Sequence, residues 1–113
     1  MLREAELQPA KTGLLPTPAL PADIPPIELT DNARQVFLRR YVRRGNDGNP
    51  QETVEETFWR VAYHVARAEE TWNGAVLPIA RQFYELLSKR RFFPNSPTFT
   101  GAGTPLGQLA ACF

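Results

Sequence analysis

The sequence predicts a mainly α-helical chain that runs into a loop and the start of a strand. Three observations carry this. Apolar residues recur at helical spacing in three stretches between Leu29 and Phe93. Capping residues or a first-turn proline open these stretches, and turn residues or a proline close them. From Asn95 onward proline, glycine and hydroxyl residues replace the helical period, and a short apolar run, Leu109-Ala110-Ala111-Cys112-Phe113, follows.

Residues 1–27 come first. Six of the chain's 11 prolines (Pro9, Pro16, Pro18, Pro21, Pro25 and Pro26) lie here. No apolar period is sustained between them, so this stretch reads as an extended or disordered arm. It has no basic start followed by an apolar run, as a secretory signal would. Glu4, Glu6 and Asp23 argue against a mitochondrial leader.

Residues 28–93 form the helical part. Thr30 is the expected N-cap of the first helix, with Asp31 suited to the positive helix start. Ala33, Val36, Phe37 and Tyr41 mark its apolar face, and Arg34, Arg39, Arg40, Arg43 and Arg44 a solvated one. Gly45-Asn46-Asp47-Gly48-Asn49-Pro50 is a polar turn. Thr53-Val54-Glu55-Glu56 is a capping box, and Phe58, Val61, Ala62, Val65 and Ala68 continue from it as a stripe, with the helix running on towards Trp72. A third helix starts near Pro78, which a first turn tolerates, with Ile79, Phe83, Leu86 and Leu87 on one face. Lys89, Arg90 and Arg91 suit its end, and Phe92-Phe93-Pro94 closes it. Three short helices bury only a modest core, so they read as a cap on something larger.

Residues 94–113 are expected to be a loop entering a strand. An apolar run would ordinarily end in a turn, because a terminal carboxylate is costly to bury. The sequence therefore reads as interrupted within a longer protein.

At 113 residues the chain holds one small domain at most. A net charge of +1 gives no global field towards nucleic acid or membrane, and no apolar stretch is long enough to span a bilayer. One cysteine excludes an internal disulfide framework and fits a reducing cytosol. His64, the one histidine, has no partner at metal-ligand spacing and reads as structural, so no metal site is expected. Trp59, Trp72 and Phe58 read as core or interface aromatics. Ser96, Thr98, Thr100 and Thr104 among glycines and prolines could let backbone amides approach an anion, although no Gly-Lys-Ser/Thr follows as in a Walker loop. Taken alone, Cys112 in an apolar strand is a small buried hydrophobe.

The run Asn95-Ser96-Pro97-Thr98, Gly101-Ala102-Gly103-Thr104-Pro105-Leu106-Gly107-Gln108-Leu109 and Ala111-Cys112-Phe113 closely resembles the N-terminal end of the catalytic barrel in class II, adenosylcobalamin-dependent, ribonucleotide reductases. The family form is close to N-S-P-T-L-M-N-A-G-T-P-L-G-Q-L-S-A-C-F. Phe99-Thr100-Gly101 stands where Leu-Met-Asn is usual, and Ala110 where Ser is usual. Leu29-Thr30-Asp31-Asn32-Ala33, Arg39-Arg40-Tyr41, Thr53, Glu55, Glu56, Arg60-Val61-Ala62 and Ala68-Glu69 extend the likeness back through the helices. An ATP-binding regulatory domain, found at the start of some reductases, is not visible.

The resemblance implies that the helices cap a ten-stranded α/β barrel whose first strand begins at the end of this chain. It implies a ribonucleoside-diphosphate reductase making deoxyribonucleotides for DNA synthesis, of which this is the N-terminal part, inactive by itself. Cys112 matches one member of the redox-active cysteine pair, with its partner outside the chain. Ser96, Ala111 and Cys112 match substrate-binding positions. Adenosylcobalamin would be held mainly by residues outside this chain. The implied partners are the ribonucleoside diphosphate, the rest of the reductase or a split subunit, and a thioredoxin-type reductant, in the cytoplasm. The rival reading is a non-catalytic helical interaction module left from a truncated reductase.

Overall fold

Helix formers and large apolar residues crowd every face of the segment after Thr53, so a helix there must be buried nearly all round. The structure, a computed structural model, describes residues 7–8, 15–72, 74–90, 94, 96–105, 107 and 109, with residues 7, 8 and 96 as backbone only. It places this helix, α2 (Val54–Ala66), at the centre. Val54, Phe58, Trp59, Val61, Ala62, Tyr63 and Ala66 are all buried. The Thr53 hydroxyl accepts from the Glu56 amide, and the Glu56 carboxylate accepts from the Thr53 amide, so the capping box forms as expected.

The other elements are arranged around α2. Helix α1 (Asp31–Arg40) starts at Thr30, whose hydroxyl accepts from the Ala33 amide. Its Phe37 ring stands 5.3 Å from Phe58 and 5.2 Å from Phe99. Arg34 departs from the solvated face expected of it. It pairs with Glu55 at 3.2 Å and donates to the Ile27 carbonyl at 2.7 Å, joining α1 to α2. The polar turn returns the chain through a bridge between Arg44 and Pro50, with Gly48 at φ +81°. Beyond Ala66, α2 tightens into a 3-10 helix (Arg67–Trp72), and Trp72 is exposed. Helix α3 (Val76–Ser88) has Pro78 in its first turn and packs along α2. It buries Ala80, Tyr84 and Leu87, whereas Leu86 is exposed. Of the expected Ile79, Phe83, Leu86 and Leu87 face, Leu87 is buried and Ile79 and Phe83 pack partly against the core, and the Tyr84 ring near Phe58 and Trp59 extends the buried side to Ala80 and Tyr84.

Two features go beyond the expectations. Residues 1–27 read as an extended or disordered arm; Leu15–Ile27, extended apart from a turn at residues 22–24, are held on the helices. A two-residue antiparallel pair, β1 (Leu7–Gln8) with β2 (Thr17–Pro18), precedes this contact. The Trp59 indole donates to the buried Pro18 carbonyl at 3.0 Å, and Ile27 enters the core. Proline leaves carbonyls that a neighbouring element must satisfy, and here α2 supplies the donor. The second feature, a departure, concerns the segment after Asn95, expected as a loop. Ser96–Gly101 form a short helix, α4. Pro97 lies in its first turn, and Phe99 on it is buried against Phe37 and Phe58. A ring with that much core contact outweighs the weak helix propensity of Ser, Thr and Gly. Leu109 lies outside any strand, and the rest of the expected barrel strand, residues 110–113, lies outside the described residues. No described helix is long and apolar enough to cross a membrane.

The arm contact is open to test. Trp59→Phe keeps an aromatic ring but strands the Pro18 carbonyl and leaves a small cavity, which together should cost about 2–4 kcal/mol in urea unfolding and speed proteolysis within residues 15–27.

Candidate functional site

The segment expected to meet substrate is held by α2 from beneath. Helix α4 delivers the chain to Ala102 and Gly103, which lie over the α2 residues Arg60 and His64, and then to Thr104. Arg60 is a guanidinium in an otherwise apolar stretch, Phe58-Trp59-Arg60-Val61-Ala62, and it is buried. Its Nε donates to Glu52 Oε2 at 2.8 Å and its Nη2 to Glu52 Oε1 at 3.1 Å. Its Nη1 donates to the Ala102 carbonyl at 2.7 Å. Glu52 also accepts from the Arg43 amide and the Thr57 hydroxyl, both at 2.9 Å. Burial pushes the Glu52 carboxyl up, but the Arg60 hydrogen bonds and charge, with the Arg43 and Thr57 donors, hold it below the ordinary glutamate value. Glu52 is therefore ionised at neutral pH.

His64 is the second support. Its Nε2 and the Thr17 hydroxyl share a 2.7 Å hydrogen bond, and Thr17 in turn donates to the Leu15 carbonyl. The Leu15 amide donates to the Gly103 carbonyl at 2.6 Å. Arm, α2 and loop thus meet at one point. Gly103 is required there. Its φ is +81°, and a Cβ would stand 2.7 Å from His64 Cδ2 and 3.1 Å from Arg60 Cγ. Burial, then the charges of Arg67 and Arg60, depress His64 from 6.5 to about 4. The ring is neutral at pH 7 and structural, as the sequence indicated.

Between these supports and the loop lies a cavity of about 310 Å³ lined by Leu15, His64, Arg67, Thr104, Gly107 and Leu109, among others. Inside the loop, the Thr104 hydroxyl donates to the Gly101 carbonyl at 2.6 Å and accepts from the Gly107 amide at 3.3 Å. The Thr98 hydroxyl donates to the Leu109 carbonyl at 3.0 Å. That bond ties α4 to the backbone at Leu109.

The expected site residues stand as follows. Ser96 is the first residue of α4, and its side chain lies outside the described residues. Ala111 and Cys112 also lie outside them. No cluster of His, Cys, Asp or Glu able to hold a metal occurs among the described residues. Sequence reasoning missed Glu52, Arg60 and Thr17 as supports of the loop. A lone arginine inside an apolar helical run was the available signal for Arg60. Thr17 gave none, because its partner is 47 positions away.

With this arrangement in view, the class is plain. Residues 27–107 match the family described as the ribonucleotide reductase all-alpha domain, and the chain belongs to that family. Among individual relatives, it is 38% identical over 112 residues to the vitamin B12-dependent ribonucleoside-diphosphate reductase of Mycobacterium tuberculosis, covering 98% of this chain and 15% of that protein. It is 36% identical over 84 residues to the ribonucleoside-diphosphate reductase subunit alpha of Treponema pallidum, covering 74% of this chain and 10% of that one. A vitamin B12-dependent ribonucleoside-diphosphate reductase of Thermoplasma acidophilum is 27% identical, over 77% of this chain and 19% of that protein. The chain thus spans less than a fifth of the length of these relatives.

Two outcomes follow for the supports. His64 takes a proton more readily when unfolded than when folded, so its contribution to stability is fully present above pH 6.5 and is lost as pH falls towards 4. Urea unfolding at pH 7 and pH 5 should show His64→Gln with a shallower decline than wild type, by on the order of 1–2 kcal/mol. Arg60→Met alone leaves Glu52 as an unpaired buried charge and should cost about 3–5 kcal/mol in the same measurement at pH 7.

Proposed function

We propose that this chain is the N-terminal helical part of an adenosylcobalamin-dependent ribonucleoside-diphosphate reductase, capping its ten-stranded α/β barrel and supplying part of the substrate site. The observation that carries this reading is the likeness to the mycobacterial B12-dependent enzyme, which runs over 98% of the chain and so takes in helices and loop together. In domain terms, residues 1–27 form the arm, 28–93 the helical domain, and 94–113 the substrate segment leading into the first barrel strand.

In the proposed reaction the ribose 2′-hydroxyl leaves as water and hydrogen takes its place. Two thiols supply the electrons and become a disulfide, so the reaction consumes one ribonucleoside diphosphate and one dithiol. Cys112 is one thiol, and the other belongs to the remainder of the reductase. A thioredoxin-type protein then reduces the disulfide. Ser96 hydrogen-bonds the nucleotide, and the Ala111–Cys112 backbone lines the sugar. Hydroxyl and amide donors suit an anionic substrate, since bonds to a charged acceptor are the stronger ones.

Adenosylcobalamin, which supplies the radical initiation in enzymes of this class, would be held mainly by the remainder of the protein, and the part of this chain is to bind and orient the substrate. A cytoplasmic setting fits a thiol that must cycle.

The test joins or co-expresses this chain with the remainder of its reductase and follows cobalamin-dependent reduction of ribonucleoside diphosphates. With the physiological thiol protein as electron donor, Cys112→Ser should abolish multiple turnover, by at least about a hundredfold. Ser96→Ala should raise KM about tenfold, the weight of one hydrogen bond to a charged group. Full turnover by Cys112→Ser with that donor would end the redox assignment.

A further inference from the structure

We propose that the buried Glu52–Arg60 pair is the positioning device of the substrate segment, setting the course of Ser96–Gly107 through the Ala102 carbonyl. The inference rests on the preceding reading of that segment and extends it to two residues that touch no substrate.

Four features carry it. First, Arg60 divides its donors. Nε and Nη2 hold Glu52, while Nη1 reaches 42 positions along the chain to Ala102. Neutralising Glu52 does not require that third bond. Second, the guanidinium is itself held. The Arg43 amide and Thr57 hydroxyl fix Glu52 Oε1, and the two side chains are 2% and 3% exposed. A fork with both ends bound has little freedom to swing.

Third, the loop backbone lies directly on this side chain. The Cβ that Gly103 lacks would stand 3.1 Å from Arg60 Cγ, so no other residue lets the loop come as close. Fourth, the connection runs towards the expected substrate contacts. Ala102 directly follows the six-residue helix that begins at Ser96, and the Ala102 amide donates to the Thr98 carbonyl at 3.0 Å. Thr98 in turn reaches the Leu109 carbonyl, three positions before Cys112. A shift at Ala102 therefore tilts α4 and carries along both the Ser96 end and the approach to Cys112. A buried ion pair is seldom the most stabilising choice for its volume. Fixing one carbonyl in one place is a role that an apolar pair could not fill.

The test uses the reductase assembled from this chain and the remainder of its large chain. The double variant Glu52→Gln, Arg60→Met removes both charges together, leaves an amide oxygen for Arg43 and Thr57, and releases the Ala102 carbonyl. KM for the ribonucleoside diphosphate should rise about tenfold, with kcat at saturation within about threefold of the parent. A purely structural pair would instead reduce the amount of active enzyme and leave KM alone. If the double variant does not fold, Gly103→Ala carries the test. It keeps the ion pair and pushes the same backbone off Arg60 and His64, and it should raise KM by a similar factor. Adding His64→Ala to it should recover part of that rise, by relieving the closest contact. An active assembly whose KM stays within about twofold of the parent in the folded variant overturns the proposal alone. An assembly that reduces no ribonucleoside diphosphate at all overturns the functional reading and the proposal with it.

Discussion

The structure depends most on one buried ion pair that joins an apolar helix to the residue two before its start. Arg60 sits where α2 would otherwise carry another Leu or Val, between Trp59 and Val61. Placing a charge there requires a full set of partners, because an uncompensated ion in the core would outweigh most of a small domain's stability. The chain supplies them from three places: Glu52 before the helix, Arg43 and Thr57 around Glu52, and Ala102 after α4. These elements have no freedom to take other positions while the pair remains satisfied. The polar turn, the start of α2 and the loop after α4 are thereby referred to one point.

Around that point the apolar packing is ordinary, but it is arranged so that α4 has a seat. Phe37, Phe58 and Phe99 form a group of rings 5.2 to 5.5 Å apart, one each from α1, α2 and α4. Rings at these separations and tilts attract beyond their buried area. Phe99 holds α4 by its side chain, while Arg60 holds the residue that follows by its backbone. The arm adds a third hold at Gly103 through the Leu15 amide and, by way of Thr17, His64. Burial and neighbouring cations keep that histidine neutral, which suits a ring whose part is to bond a hydroxyl beneath the loop. Together these holds fix the backbone of Ala102 and Gly103 from three directions.

Local signals were legible where physics is local. The Thr30 and Thr53 caps, the polar turn at Gly45–Pro50 and the first-turn place of Pro78 follow from residues within five positions of each other, and the structure has them all. On α3 the helical period was informative in part. It placed Leu87 in the core and Ile79 and Phe83 against it, but Leu86 is exposed while Ala80 and Tyr84 are buried. The segment after Asn95 has the composition of a loop, yet Ser96–Gly101 are helical because Phe99 gains more from the core than its neighbours lose. The family likeness was legible in the run from Asn95 to Phe113, whereas Ala111 and Cys112 lie beyond the described residues.

By itself, the sequence determined that the chain is mainly helical, where its caps and turns fall, and which family its motifs resemble. Those properties reside in short stretches, where capping, proline and glycine act on their immediate neighbours. The tertiary structure alone decided that residues 15–27 lie on α2, that α4 forms, and that Arg60 pairs with Glu52 and grips Ala102. Each of these joins groups far apart in the chain, through buried polar atoms that need partners and rings that need contacts. Only a closed core brings such groups together, so no local pattern could announce them.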